Sequence, residues 1–233
     1  MTAGNRRARR NAARNAPPPS RQGRWLWPLV GGVVIVGAAI AAIVLTSGQA
    51  PGGSSVRPSG SPAGSVSPGA GPVVNGAPLP AFENPDGDLA VGQPIPEVQG
   101  ASFDGRPVAI TADGRPKVLL FLAHWCPHCQ AEVPLVQAWL DGGAAPADVD
   151  VISVATAIDS TRPNYPPDAW LEGEGWSPPV IVDPTGSVAD AYGLSALPFW
   201  VFVNADGTVA GRLAGQLQIA DLESVIASLD RTP

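Results

Sequence analysis

The chain has 233 residues, of which 27 are glycine and 27 proline, about twice the average usage of those two together, and only 15% are charged. Its two cysteines exclude a disulfide-dense miniature scaffold. The net charge of −6 conceals seven arginines and no acid in residues 1–24, with all 20 acidic residues from Glu83 onward, so no basic patch remains there to bind nucleic acid.

Residues 1–24 read as an Arg-rich cytoplasmic head. Residues 25–45 carry no charge and are interrupted only by Pro28 and small side chains. About 20 helical residues cross a hydrocarbon core of about 30 Å, so this stretch is long enough to be a membrane anchor. Trp25 and Trp27 stand at its start, where indoles favour the membrane interface. Seven arginines precede it and only Arg57 lies in the 35 residues after it, which predicts a cytoplasmic N-terminus and an extracytoplasmic remainder. A cleaved signal peptide is the competing reading, but the basic lead and the apolar run are both long for one. Pro51 also spoils the cleavage context at Ala50. Residues 46–80, rich in Gly, Ser and Pro, read as a disordered linker, because they cannot bury enough apolar surface to offset chain entropy. Such a coil spans roughly 30–35 Å root-mean-square.

Residues 81–233 read as one globular domain. A β-hairpin is expected over 98–103 and 107–110 around Asp104-Gly105, then a continuous apolar strand over 117–123. A helix should run from Pro127 to about Leu140, burying Val133, Val136, Trp139 and Leu140, and stop at Asp141-Gly142-Gly143. A strand over 149–156, a short helix over 167–174, a short strand over 180–182 and a short helix over 187–192 follow. A hairpin over 199–203 and 208–213 and an amphipathic helix over 217–229 complete an α/β arrangement with a mixed sheet.

Both cysteines fall in Trp125-Cys126-Pro127-His128-Cys129, at the junction of a strand and a helix. Residues i and i+3 share a helix face, within reach of a disulfide. Cys126, at the N-cap, faces unpaired N–H groups and the positive end of the helix dipole, which stabilise a thiolate. Pro127 suits the first turn, where its missing N–H has no partner to lose. His128 offers positive charge or a donor beside the sulfur. These features predict an exposed, low-pKa nucleophile at Cys126 and a more buried resolving thiol at Cys129. A purely structural disulfide closing so short a loop would stabilise little. A zinc or copper(I) site is the other reading, because the only two histidines, His124 and His128, flank the same cysteines. His124 ends a strand, however, and its side chain is expected to point away from Cys126.

Residues 91–230 resemble the TlpA/ResA branch of the thioredoxin superfamily. The resemblance is carried by Val91-Gly-Gln-Pro-Ile-Pro96, Asp104-Gly-Arg-Pro-Val108, Trp125-Cys-Pro-His-Cys-Gln-Ala-Glu-Val-Pro134, Tyr192-Gly-Leu-Ser-Ala-Leu-Pro198 and Val203-Asn-Ala-Asp-Gly207. It implies a thioredoxin-like fold with an N-terminal hairpin extension, a redox-active Cys126–Cys129 disulfide and no separate cofactor. It also implies a helix that continues through Pro134 and a cis Pro198 that sets the backbone of Leu197 beside the disulfide, where a substrate strand can pair. Trp125 is expected at the rim of the site or in the core. Glu132 matches the branch's acidic residue after the cysteines and would assist proton transfer from Cys129; on an exposed helix face it would be only a solvated charge. Leu120 stands where classical thioredoxin carries a buried aspartate, which removes one proton acceptor.

The resemblance implies a membrane-anchored thiol-disulfide oxidoreductase that acts on exported proteins bearing thiols or disulfides and needs an electron partner. The Pro-His pair between the cysteines resembles oxidising donors of the DsbA type, and stabilising the reduced form makes a disulfide more oxidising. The oxidising direction is therefore slightly favoured. The alternatives are a reductase serving cytochrome c maturation and a copper- or zinc-handling module.

Overall fold

The structure, a computed structural model, describes residues 71–232. The Arg-rich head, the 25–45 span and most of the linker lie outside the described residues. Among the described residues, no helix is long and apolar enough to cross a membrane.

Two sheets organise the domain. The smaller one is antiparallel, in the order β1 (Val73–Asn75), β2 (Glu97–Ala101), β3 (Pro107–Ile110). The larger, mixed sheet runs β6 (Val180–Val182), β5 (Asp150–Ala155), β4 (Lys117–Leu122), β7 (Phe199–Val203), β8 (Val209–Ala214). Strands β4, β5 and β6 are parallel, and β7 and β8 are antiparallel to their neighbours. Among the described residues, four helices complete the element order: α1 (Pro127–Asp141), α2 (Pro167–Gly173), α3 (Ser187–Ala191) and α4 (Ile219–Ser228).

Strand β4 is buried along its whole length, because alternate side chains feed two cores. Leu119 and Phe121 join Val154, Phe199, Val201, Tyr192 and the hairpin residues Val98 and Ile110 on one face. Val118, Leu120 and Leu122 join Trp200, Phe202, Val133 and Val136 of α1, and Leu222 and Ile226 of α4 on the other. The hairpin packs closely on β6: a Cβ added at Gly100 would meet Ile181 Cγ2 at 2.7 Å, so Gly is required there for close approach.

The ordered structure begins earlier than the sequence suggests. Residues 71–80, assigned above to the linker, include β1, which pairs with β2 through Val73–Gln99, Val74–Val98 and Asn75–Glu97. Leu79 is buried in the core, and its N–H donates to Ala191 O at 2.8 Å. Three strand residues in a Gly/Pro-rich stretch carry too little alternation to be recognised alone; pairing with β2 supplies what local pattern lacks. The segment that follows is fastened by Arg212. Its buried guanidinium donates to Asp88, to Pro80 O at 2.8 Å and to Tyr192 O at 2.8 Å. Farther on, Gly92 N–H donates to Val209 O at 2.8 Å, Val209 N–H to Gln93 O at 2.9 Å and Ile95 N–H to Gly207 O at 2.9 Å.

Helix α1 runs unbroken through Pro134, although that residue gives the Gln130 carbonyl no N–H partner. Leu140, expected in the core, is only half-buried, whereas Glu132 and Gln137 are buried on the same helix. Gln137 is satisfied there by the Ser177 N–H at 2.9 Å and the Asp141 carboxylate at 2.7 Å.

Candidate active site

Strand β4 ends at Leu122, and Ala123 to Trp125 carry the chain to Cys126, the N-cap of α1. Cys126 is extended (φ −76°, ψ 119°), and its N–H donates to Ala123 O at 3.0 Å. Pro127 begins the helix, as its fixed φ and absent N–H allow. Both thiols are free. The Cys126 thiol is only 6% exposed and donates to Leu197 O at 3.6 Å; Cys129 is wholly enclosed. Cys129 is the more enclosed of the two, as expected, but Cys126 is more covered than an exposed nucleophile would be, with its sulfur against the Leu197 carbonyl. Burial pushes the Cys129 thiol well above the ordinary cysteine range, aided by Cys126 and Glu132 and opposed by a backbone contact at Ala123.

Leu197–Pro198 is a cis peptide. It ends the loop between α3 and β7 so that the half-buried Leu197 presents its carbonyl to the Cys126 sulfur. Glu132 is not a solvated charge. It lies one turn beyond Cys129 at 1% exposure, with Oε1 accepting the Leu217 N–H at 3.0 Å. Its Oε2 has no hydrogen-bond partner among the described residues. Burial pushes this carboxyl above the usual range, more than the Leu217 N–H and the nearby Gln216 side chain draw it down. The sequence signal for its burial was its place, three residues after Cys129, on the stripe that holds Val133 and Val136.

His128 is exposed, with its Nδ1 3.1 Å from Gln216 Oε1. It meets the amide of the loop before α4, and no hydrogen bond joins it to Cys126 among the described residues. His124 is buried and points away from the cysteines, as expected. Its Nδ1 donates to Pro163 O at 2.8 Å and its Nε2 accepts the Asp159 N–H at 3.2 Å. With both nitrogens of His124 committed to backbone, the Cys/His cluster of the metal reading is not assembled. No three His, Cys, Asp or Glu side chains converge as metal ligands among the described residues.

Trp125 sits half-buried at the rim. Its Nε1 donates to Ala157 O at 2.8 Å, and the Arg162 guanidinium stacks 4.3 Å above its ring. Such a stack contributes about 0.5–1 kcal/mol at an exposed site. The loop that carries Arg162, residues 156–166, is thus pinned at Ala157, Asp159 and Pro163 by the two residues preceding Cys126. Its contribution to the site has no local sequence signal, since the pins span 32–39 residues of chain.

Residues 90–226 match the family described as Redoxin. Among curated proteins, thiol-disulfide oxidoreductase ResA of Halalkalibacterium halodurans is 27% identical over 123 residues, which is 53% of this chain and 65% of that protein. The sporulation thiol-disulfide oxidoreductase A of Bacillus subtilis is 21% identical, over 52% of this chain and 73% of that one. The chain therefore spans about 65% of the ResA relative's length. A solved Chlorobium tepidum structure, described as a thiol:disulfide interchange protein DsbE, superposes with a TM-score of 0.51. It is 21% identical and covers 60% of this chain and 97% of its own. The fold is thioredoxin-like, with its mixed sheet, and the relatives fall in the TlpA/ResA group to which the sequence motifs point.

Proposed function

Since the chain belongs to the Redoxin family, we propose that it is a membrane-anchored, extracytoplasmic thiol-disulfide oxidoreductase. In this reading residues 25–45 span the membrane with the N-terminus cytoplasmic. The chain exchanges a Cys126–Cys129 disulfide with cysteines of exported proteins. The observation that carries the reading is the contact of Cys126 Sγ with the carbonyl of Leu197, before a cis proline, with Cys129 and the orphaned carboxyl oxygen of Glu132 enclosed behind it.

In the oxidising direction a client thiolate attacks Cys126 Sγ, the Cys126–Cys129 bond breaks and Cys129 leaves as a thiolate. A protonated Glu132 gives its proton to that sulfur, whose burial disfavours the charge. A second client thiolate then attacks the client sulfur of the mixed disulfide, releasing an oxidised client and Cys126. Two electrons remain on the Cys126–Cys129 dithiol, and an extracytoplasmic acceptor disulfide must remove them. In the reducing direction the same steps run backward: Cys126 attacks a client disulfide, and Glu132 takes the Cys129 proton so that Cys129 can resolve the intermediate. The Leu197 backbone offers the edge on which a client strand pairs.

Oxidation is the favoured direction, on the likeness of the Pro127-His128 pair between the cysteines to that of oxidising donors of the DsbA type. Rapid acid quenching of intact cells followed by an alkylating mass tag tests this. A pool held mostly as the disulfide supports the oxidant, and a mostly dithiol pool assigns the reductase. If the purified full-length chain retains stoichiometric copper or zinc and fails to exchange with a dithiol, the oxidoreductase reading is wrong.

A further inference from the structure

The described residues include all 20 acids of the chain but only six lysines and arginines. Five of these cations are neutralised locally. Arg106 pairs with Asp104, Arg115 and Lys117 with Asp150, Lys117 also with Asp113, Arg212 with Asp88 and Arg231 with Asp148, all at 2.5–3.2 Å. Arg162 forms no ion pair among the described residues. It is exposed and lies over Trp125, the residue before Cys126. Asp159 is close in sequence, but its Oδ1 accepts the Thr161 N–H at 2.9 Å and the Thr161 hydroxyl at 2.7 Å.

We infer that Arg162 is a specificity-determining contact for a carboxylate that the client polypeptide carries beside its reactive cysteine. The inference rests on the exchange reading of Cys126. Stacking engages the face of a guanidinium and leaves its edge N–H groups free, in the fork that takes both oxygens of a carboxylate. The arginine is also pre-placed. The Asp159 N–H and the Pro163 carbonyl are held by the two ring nitrogens of His124, and Asn164 Nδ2 donates to the His124 carbonyl at 3.3 Å. Anchoring the loop on both sides of residue 162 reduces the ordering cost when a client binds. The rest of the domain carries an excess of acid, so Arg162 is the matched point for an anionic group near the sulfur.

The test uses the full-length chain, oxidised at Cys126–Cys129, and three dithiol peptides that differ only in a Glu, Gln or Lys two residues from the attacking cysteine. Each second-order rate is divided by that peptide's rate with a small neutral disulfide, which removes differences in thiol acidity. The native chain should prefer the Glu over the Gln peptide about three- to fivefold at low salt, as an exposed ion pair permits, and less at high salt. Arg162→Gln should bring that ratio to unity, Arg162→Glu should shift preference to the Lys peptide, and Arg162→Lys should keep part of the original preference. Equal rates for the three peptides on the native chain, or a Glu preference that survives Arg162→Gln, overturn the assignment while the oxidoreductase reading stands. Failure of every peptide to exchange overturns both.

Discussion

Replacing Glu132 with Gln separates proton transfer from packing. The native carboxyl is buried, with one oxygen on the Leu217 N–H at 3.0 Å and the other without a hydrogen bond among the described residues. A Gln carbonyl keeps the first contact and fills nearly the same volume, so stability near pH 4 should change by less than about 1 kcal/mol. Burial raises the folded pKa of Glu132, so between its unfolded and folded values the folded chain holds more protons than the unfolded one. Stability therefore falls as pH rises from about 4.3 through the raised value, and the Gln variant lacks that fall. The effect on chemistry should be much larger. Cys129 is enclosed and its thiol is pushed up, so at neutral pH it is almost never ionised without help, and a positioned acid–base group contributes about 10²–10⁴-fold. In Glu132→Gln, resolution of the mixed disulfide on Cys126 by Cys129 should slow at least about 100-fold, whereas formation of that intermediate should hold its rate. Rapid mixing with a disulfide peptide, acid quench, alkylation and mass analysis read both steps. A resolution rate within about threefold of native, in a variant that folds normally, refutes the role given to Glu132.

Three other perturbations address the site and the fold. Cys129→Ser should trap client–Cys126 mixed disulfides on non-reducing gels, and their appearance instead in Cys126→Ser would reverse the order of attack. Asp88→Asn leaves the buried Arg212 unpaired and should cost about 3–5 kcal/mol, readable as a drop in Tm in thermal melts. Because its hydrogen bonds to Arg212 hold the Asp88 carboxyl below the usual range, the stability it lends is present above about pH 4 and lost as pH falls through its folded value, so the Tm gap between native and Asp88→Asn should narrow in acid. Gly193→Ala adds a Cβ against the Pro80 carbonyl and 2.7 Å from Arg212 Nη1 at φ +68°, and should cost at least about 2 kcal/mol by denaturant titration.

The elements around the cysteines were legible because their patterns are local. The apolar run of β4, the proline after Cys126 and the spacing of Val133, Val136 and Trp139 each specify structure within one or two turns of chain. Polar residues on a buried stripe were harder to read. Glu132 and Gln137 carry groups that ordinarily keep them outside, and their burial is made tolerable by partners 40 or more residues away, Leu217 and Ser177, with Asp141 serving Gln137 from the next turn. Proximity in sequence places His128 at the sulfur, whereas in the fold a residue 88 positions later takes its nitrogen. Arg162 has no local signal because its distinction is collective. It emerges only when every other cation of the domain has been matched to an acid.

The bonds that residues 92–95 make to Val209 and Gly207 bear on solution behaviour as well as on the fold. Strand β8 forms one margin of the mixed sheet, and an uncovered margin offers its free N–H and C=O groups to any passing strand. Here the chain's own earlier segment occupies the start of that margin, and Pro94, which has no N–H to offer, bridges to Thr208. A fragment trimmed to begin at β2 would keep the cysteines but lose Leu79, Phe82, Ala90 and Ile95 from one core and the Asp88 partner of Arg212, and it would expose a self-complementary template. Its tendency to form dimers and fibrils, compared with a fragment beginning at residue 71, would measure how far the segment before β2 works as a guard against edge-to-edge association.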